Sequence, residues 1–421
     1  MKKRVLSLFS GCGGMDIGFE GKFLINKNTL NQNFYSDWVD YDQENDIMLK
    51  ETIFETIFAN DINPYAKISW ENYFGKKRNV RDIYNTESIV DLVKKHKNGQ
   101  QIFPSNIDVV TGGFPCQDFS VSGKRKGLNS HKDHYGKLVE GEIPNEENRG
   151  QLYIWMKEVI EITKPKIFIA ENVKGLANLG DIKSIIQNDF SKIDGEQYIV
   201  INPKVLHSGN YGVPQSRQRI FFIGFKKSSL TKKAIEELTK IDIADVYSPY
   251  PKITHVLKNQ HNLFKNCNKL KNFIPSKEVL FDLKEPLFTK DLSQNHYSKA
   301  KYMGSHVQGQ KEINLDGLGP TIRSEHHGNI EYRRLSIKNG GVNINEIEEG
   351  KHERRLTLRE CARIQTFPDD FDFVIASDTK KKRFKLSPSQ GYKLVGNAVP
   401  PLLSYHIAKK IDLNWNFYFK K

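Results

Sequence analysis

The segment Asp108-Val-Val-Thr-Gly-Gly-Phe-Pro-Cys-Gln-Asp-Phe-Ser120 begins as a buried strand and ends on a thiol. Ile107, Val109 and Val110 make a short β-branched apolar run after the turn signal Pro104-Ser105-Asn106. Gly112 and Gly113 are expected to break the strand, because glycine takes positive φ freely and lets another group approach the backbone closely. Pro115 fixes its own φ just before Cys116, so the thiol is presented from a constrained turn at the carboxyl end of a strand. Open α/β sheets bind their ligands at that end. A free cysteine is usually buried and inert; in this setting Cys116 reads as a nucleophile.

The flanking sequence is consistent with an α/β sheet. Val5 to Phe9 is a candidate strand running into Ser10-Gly-Cys-Gly-Gly-Met-Asp-Ile-Gly18. Strand, glycine-rich turn and helix start together make a nucleotide-binding arrangement, although Gly18 lies too far on for Gly-x-Gly-x-x-Gly. Residues 21–50 are polar and read as an insertion rather than core. Thr52 to Ala59 is a second alternating strand, ending in Asn60-Asp61, where an acid can accept both hydroxyls of a ribose. Lys166 to Ala170 is a further buried strand that ends in Glu171-Asn172-Val173, and burial raises a carboxyl pKa. In Gln215-Ser-Arg-Gln-Arg-Ile-Phe-Phe-Ile-Gly224, Arg217 and Arg219 alternate toward one face as a strand begins. Two such guanidinium groups are donors suited to a carboxylate, a carbonyl or a phosphate.

Gly113-Phe-Pro-Cys-Gln-Asp-Phe-Ser120 resembles the catalytic motif of the DNA (cytosine-5)-methyltransferases, and the rest of that family's series follows in order along the chain. The resemblance implies that Phe9, Gly11 and Gly13 cradle S-adenosylmethionine, with Phe9 against the adenine. Asp61, where the family usually has Glu, would hold the ribose beside Ile62. Asp82, in Val80-Arg-Asp-Ile83, would accept the adenine amino group, and Pro115, Asn397 and Val399 would complete the cofactor pocket. Cys116 would add to C6 of cytosine, Glu171 would act as the acid on N3, Arg219 would bind O2, and Arg217 would support the glutamate and the base. The implied fold is a doubly wound, mostly parallel Rossmann-like sheet with a smaller target-recognition domain.

The remaining sequence sets the partners. The chain has 421 residues, enough for two domains, and its 38% hydrophobic content supports sizeable cores. With 64 Lys and Arg against 50 Asp and Glu, the net charge of +14 favours a polyanion. Val121-Ser-Gly-Lys-Arg-Lys-Gly-Leu128 is a basic segment with glycine hinges, suited to closing on a phosphate backbone. With it, Gln117 and Ser120 are candidate DNA contacts. Residues 129–148 extend it; His131 and His134 there lack further ligands, so no metal is expected. Cys12, Cys116, Cys267 and Cys361 form no Cys-x-x-Cys pair, which points to a reducing, cytoplasmic setting. No apolar run approaches the ~20 residues that span a bilayer, and glycines end the amino-terminal apolar run too soon for a signal peptide.

Residues 226–350 are rich in Lys and Asn, with no periodicity that assigns strands. Arg323, His326, His327, Arg333 and Arg334 are the candidate base readers there, since arginine reads guanine edges bidentately. Thr357 and Glu360 have capping-box spacing at the start of a helix whose Cys361 faces the core. Lys380-Lys-Lys-Arg383 is either near the DNA backbone or simply solvated. A last helix is expected from about Gln390 to Ile411. The expected domains are 1–225, catalytic and cofactor-binding; 226–384, target recognition; and 385–421, returning to the first. By resemblance the substrate is double-stranded DNA, the enzyme a monomer, and a restriction endonuclease its functional partner. Two alternatives stay open: a tRNA cytosine-5 methyltransferase, although that branch's Cys-Phe-Thr signature is absent, and a non-enzymatic DNA-binding regulator.

Overall fold

The computed structural model describes residues 1–115, 152–178, 181–258, 269–324, 330–379 and 382–420. Its centre is an eight-stranded sheet in the order Tyr84–Asn85, Phe54–Asn60, Lys3–Leu8, Val109–Gly113, Ile167–Val173, Gln218–Lys226, Glu196–His207, Lys192–Ile193. The first five strands are parallel to their neighbours. Gln218–Lys226 runs antiparallel to the strands on either side of it. Successive strand residues enter two different cores, as the two-residue period of a strand requires. Val5, Val109, Ile167, Ile169 and Phe221 join the helices Gly14–Glu20 and Pro401–Tyr418 on one face. Leu6, Val110, Phe168, Ala170 and Phe222 join Ile89–Lys97, Leu152–Thr163 and Ile182–Ser191 on the other. A sheet covered on both faces needs strands that are apolar throughout, which is why these runs read so clearly. The fold is the expected doubly wound α/β sheet. Lys3–Leu8 lies between Phe54–Asn60 and Val109–Gly113, so the winding reverses there and opens a crevice at the strand carboxyl ends.

Several boundaries differ from the sequence reading. The first strand is Lys3–Leu8, and Phe9 lies beyond it with φ 51°. Val109–Gly113 continues through both glycines, and neither has positive φ. Their role is close approach: a Cβ on Gly112 would lie 2.9 Å from the Met156 sulfur, and one on Gly113 would lie 3.0 Å from Glu171 Oε2. The expected single helix of 390–411 is two, Pro388–Asn397 and Pro401–Tyr418. Pro400 and Pro401 account for the break, since a residue before proline is pushed to extended backbone; Pro400, before Pro401, has ψ 127°.

Residues 21–50 are not a polar appendage. They form a three-stranded antiparallel sheet with Asp46–Leu49 between Leu24–Asn26 and Val39–Asp42. Phe23, Ile25, Leu30, Trp38, Ile47 and Leu49 are buried in the first core. Polar residues on the outer face diluted the composition and hid this alternation. The carboxy-terminal helix comes back against the first: Ser404 Oγ donates to Gly14 O and Met15 O at 3.3 and 3.2 Å. A Cβ on Gly18 would lie 2.4 Å from Pro401 O, so alanine there would force the two helices apart.

One buried group gives this fold a pH dependence. The His406 ring packs among Trp38, Tyr35 and Tyr211 at centroid distances of 5.0, 5.4 and 5.5 Å, and neither ring nitrogen has a hydrogen-bond partner among the described residues. Burial lowers its pKa from 6.5 to about 3; nearby His255 is lowered to about 3 by burial and by His406. The fold keeps His406 neutral while the unfolded chain protonates it. Its contribution is therefore intact above pH 6.5 and is lost as pH falls from there toward 3. Buried Glu20, raised to about 7, acts in the opposite sense, so only a difference isolates the histidine. Relative to wild type, His406→Phe is expected to gain about 1.4 kcal/mol of stability per pH unit below 6.5, measured by urea unfolding. A stability difference that does not vary with pH would contradict this.

Candidate active site

The glycine turn is held from beneath and from the side. Gly11 and Gly13 have φ 55° and 86°, values that disfavour a side chain. Asp16, buried below the turn, accepts from Ser7 Oγ and Ser10 Oγ at 2.6 Å each and from Trp70 Nε1 at 2.8 Å. Burial pushes its carboxyl pKa up, and those donors oppose the shift. Asp61 follows the Phe54–Asn60 strand and accepts from Gly11 N at 3.0 Å and Asn63 N at 2.9 Å. Burial raises its pKa too, against the same two donors. Tyr84 donates to Gly11 O at 2.8 Å. Phe9 and Pro115 are half-buried at the ends of the adjacent strands, while Ile62 is 43% exposed. Asp82 is exposed at φ 64°, in the turn whose next residue, Ile83, accepts from Ala59 N at 2.9 Å. Val399 is buried and Asn397 exposed in the turn over the first helix. Gln365 Nε2 fixes that turn by donating to Val395 O and Ala398 O at 2.8 Å each.

Across the crevice, three strands converge on one carboxyl group. Glu171 lies opposite Gly113 on one side and Phe221 on the other. Arg219, two residues before Phe221, is a diagonal neighbour within side-chain reach. Its Nε lies 2.9 Å from Glu171 Oε1. Glu171 is 7% exposed. Burial raises its pKa, opposed by the charges of Arg219 and then Arg217. Asn172 donates to Phe114 O at 3.2 Å and accepts from Val173 N at 2.8 Å. The bond to Phe114 O ties the Glu171 strand to Phe114, just past the end of the Val109–Gly113 strand. Cys116, Gln117, Ser120, His326 and His327 lie outside the described residues, as do His131, His134 and Cys267; the first described segment reaches Pro115, two residues beyond Gly113.

Arg217 is used differently from expectation. It precedes the strand, which begins at Gln218, and it is buried. Its guanidinium donates to Ile322 O at 3.1 Å and Gly396 O at 2.9 Å. Its charge reaches Glu171, but these hydrogen bonds brace the backbone. They join the segment around Arg323 to the turn that contains Asn397. A Cβ on Gly396 would lie 2.3 Å from the Arg323 carbonyl carbon, so the two backbones are nearly in contact.

Arg333 and Arg334 must be withdrawn as base readers. Arg334 is 0% exposed and donates to Glu346 Oε2 at 2.9 Å, Glu285 Oε1 at 2.6 Å and His352 O at 2.9 Å. Arg333 pairs with Glu346 at 2.5 Å. Arg354 bridges Glu285 and Glu360 at 2.9 and 2.8 Å. Removing one member of such a buried network leaves an unpaired charge, so these arginines hold the fold together and are unavailable to a base. Arg323 keeps 30% of its side chain exposed, 3.4 Å from Glu331. The Thr357–Glu360 capping box is formed, and Cys361 is in the core as expected. Sequence reasoning gave no role to Asp16, Asn172 or Gln365. The available signal was a polar residue set within an apolar run.

A family model described as C-5 cytosine-specific DNA methylase matches residues 3–413. The type II methyltransferase M.BspRI of Lysinibacillus sphaericus is 29% identical over 425 residues, covering 97% of this chain and 81% of the relative. The type II methyltransferase M.NgoPII of Neisseria gonorrhoeae is 28% identical over 418 residues, covering 97% and 95%. Among solved structures, the S. pombe Dnmt2 methyltransferase aligns with a TM-score of 0.53 at 17% identity, over 99% of this chain and 100% of that one, a likeness of fold.

Proposed function

Because this chain belongs to the C-5 cytosine-specific DNA methylases, we propose that Cys116 and the Glu171–Arg219 pair act together on a cytosine turned out of the duplex. The chain is a DNA cytosine-5 methyltransferase of the type II restriction-modification kind. The observation that carries the chemistry is the buried Glu171 carboxyl, held 2.9 Å from Arg219 beside a glycine on the strand that leads to Cys116. The base is extruded because C6 cannot be reached inside the stack. Cys116 forms a bond from sulfur to C6, and the displaced ring electrons are drawn toward N3. A carboxyl group whose pKa is raised by burial can carry the proton that N3 needs near neutral pH. Arg219 orients Glu171 and donates to the base carbonyl O2. C5 becomes nucleophilic and takes the methyl group; N3 returns its proton to Glu171, and loss of the C5 proton then restores the ring and expels the Cys116 thiolate.

The crevice fits S-adenosylmethionine. A Cβ on Gly11 would meet nothing within 4 Å, so the turn faces open space. The Asp61 oxygens each accept one backbone donor and retain lone pairs for ribose hydroxyls. Phe9, Gly11, Gly13, Asp61, Ile62, Asp82, Pro115, Asn397 and Val399 would hold the cofactor, which supplies an electrophilic methyl group when bound. Residues 1–225 form the catalytic domain, 226–384 the target-recognition domain, and 385–421 return to the first through contacts such as Ser404 with Gly14. The enzyme acts as a monomer on double-stranded DNA, and its product protects a recognition site from a partner endonuclease.

Calorimetric titration with S-adenosylmethionine tests the cofactor assignment. The wild type is expected to bind one equivalent, and Asp61→Ala to bind about tenfold or more weakly, the scale of a charge-assisted hydrogen bond. Unchanged affinity in the variant would remove Asp61 from the site. No binding by the folded wild type would remove the cofactor.

A further inference from the structure

Beyond Arg219, the same strands carry a cluster that the chemistry above does not use. Val173, Arg219 and Leu206 lie side by side across three strands. One residue further toward the rim are Lys174 on one side and, paired with each other, Gln218 and His207. His207 Nε2 lies 3.3 Å from Ser216 Oγ. Its ring packs on Phe273 at 5.6 Å, and Gly209 lets it lie close, since a Cβ there would stand 2.9 Å from His207 Cε1 and 2.8 Å from Leu318. Ser216 O accepts from Thr321 Oγ1, and Ser216 N donates to Gly319 O at 2.9 Å, so the cluster abuts the segment leading to Arg323. Lys174 and Ser216 are exposed and His207 is half-buried. No carboxylate pairs with Lys174 or His207 among the described residues. An ammonium, an imidazole and a hydroxyl without a counter-charge match the donors that a phosphodiester accepts from.

We propose that Lys174, His207 and Ser216 bind one backbone phosphate of the DNA, at the lip of the cleft between the Glu171–Arg219 pair and the segment leading to Arg323. This rests on the reading of that cleft as the DNA site. Lys174 supplies the fixed charge. Burial and then Lys174 disfavour the His207 cation and lower its pKa below the ordinary 6.5. Among the described residues the groups facing it are Lys174, Ser216, Phe273, Gly209 and Leu318, none of them an anion, so a bound phosphate would favour its protonated form. Binding therefore takes up a proton, and affinity rises as pH falls.

The test is the equilibrium affinity of the full chain for a methylatable duplex, across salt and between about pH 8 and pH 6. Lys174→Gln should weaken binding and lower the slope of log affinity against log salt by about 0.9, one phosphate's worth. The loss should fall on KM for DNA rather than on kcat. His207→Gln should flatten the pH dependence of wild-type affinity. Lys192→Gln, at the far edge of the sheet, should do neither. Unchanged affinity and slope in Lys174→Gln would overturn the proposal. So would a fall in kcat with the salt slope intact, which marks a structural defect. A wild type that binds no duplex would instead remove the reading on which the site rests.

Discussion

Glu171→Gln is expected to lower kcat by about 10²- to 10⁴-fold, the usual contribution of a positioned general acid, with duplex and cofactor affinities nearly unchanged. Glutamine keeps the shape of the side chain and can still accept from Arg219, so the pair's geometry survives. What it loses is a transferable proton, without which the ring cannot take up the electron pair that the thiolate supplies. The wild type should also lose kcat as pH rises through the Glu171 pKa, because only the protonated form assists. Burial places that fall above the ordinary glutamate range, while Arg219 and Arg217 pull it back. Steady-state methyl transfer across pH tests both points. Activity within twofold of wild type, or an unchanged alkaline limb in the variant, would show that Glu171 does not act as the acid.

Cys116→Ser is expected to abolish turnover while leaving duplex binding in place. A thiol is partly ionised near neutral pH and its thiolate is strongly nucleophilic, whereas a serine hydroxyl needs an adjacent base to react. Oxygen for sulfur is a small change in volume, so the tether from Asn172 to Phe114 O should persist. Gel-shift affinity and radiolabelled methyl transfer separate the two effects. Appreciable methylation by a preparation free of wild type would refute the assignment of Cys116.

The features that could be read directly from the sequence are those whose partners are close in sequence or repeat along a strand. The apolar runs at Val109, Ile167 and Ile220 gave the sheet, and glycines or acids at their carboxyl ends gave the crevice. The Glu171–Arg219 ion pair was not foreseen, since the resemblance placed Arg217 on the glutamate and Arg219 on the base; the contact depends on antiparallel register across 48 residues, which nothing local specifies. Arg333 and Arg334 were misread for the same reason. The carboxylates that occupy them, Glu285 and Glu346, are supplied from other segments, so in sequence the arginines look free. Residues 21–50 were misplaced because their average composition concealed an alternating buried face. Arg217 was placed at the correct edge, and its charge does reach Glu171, but its hydrogen bonds to Ile322 O and Gly396 O were missed, since backbone carbonyls leave no trace in a side-chain pattern.

The most direct test is bisulfite sequencing of plasmid DNA from cells that express this chain, with Cys116→Ser as the control. Cytosines protected within one recurring short sequence, in the wild type alone, are the predicted result. With the wild type shown to be folded and soluble, an absence of protected cytosines would contradict the central claim.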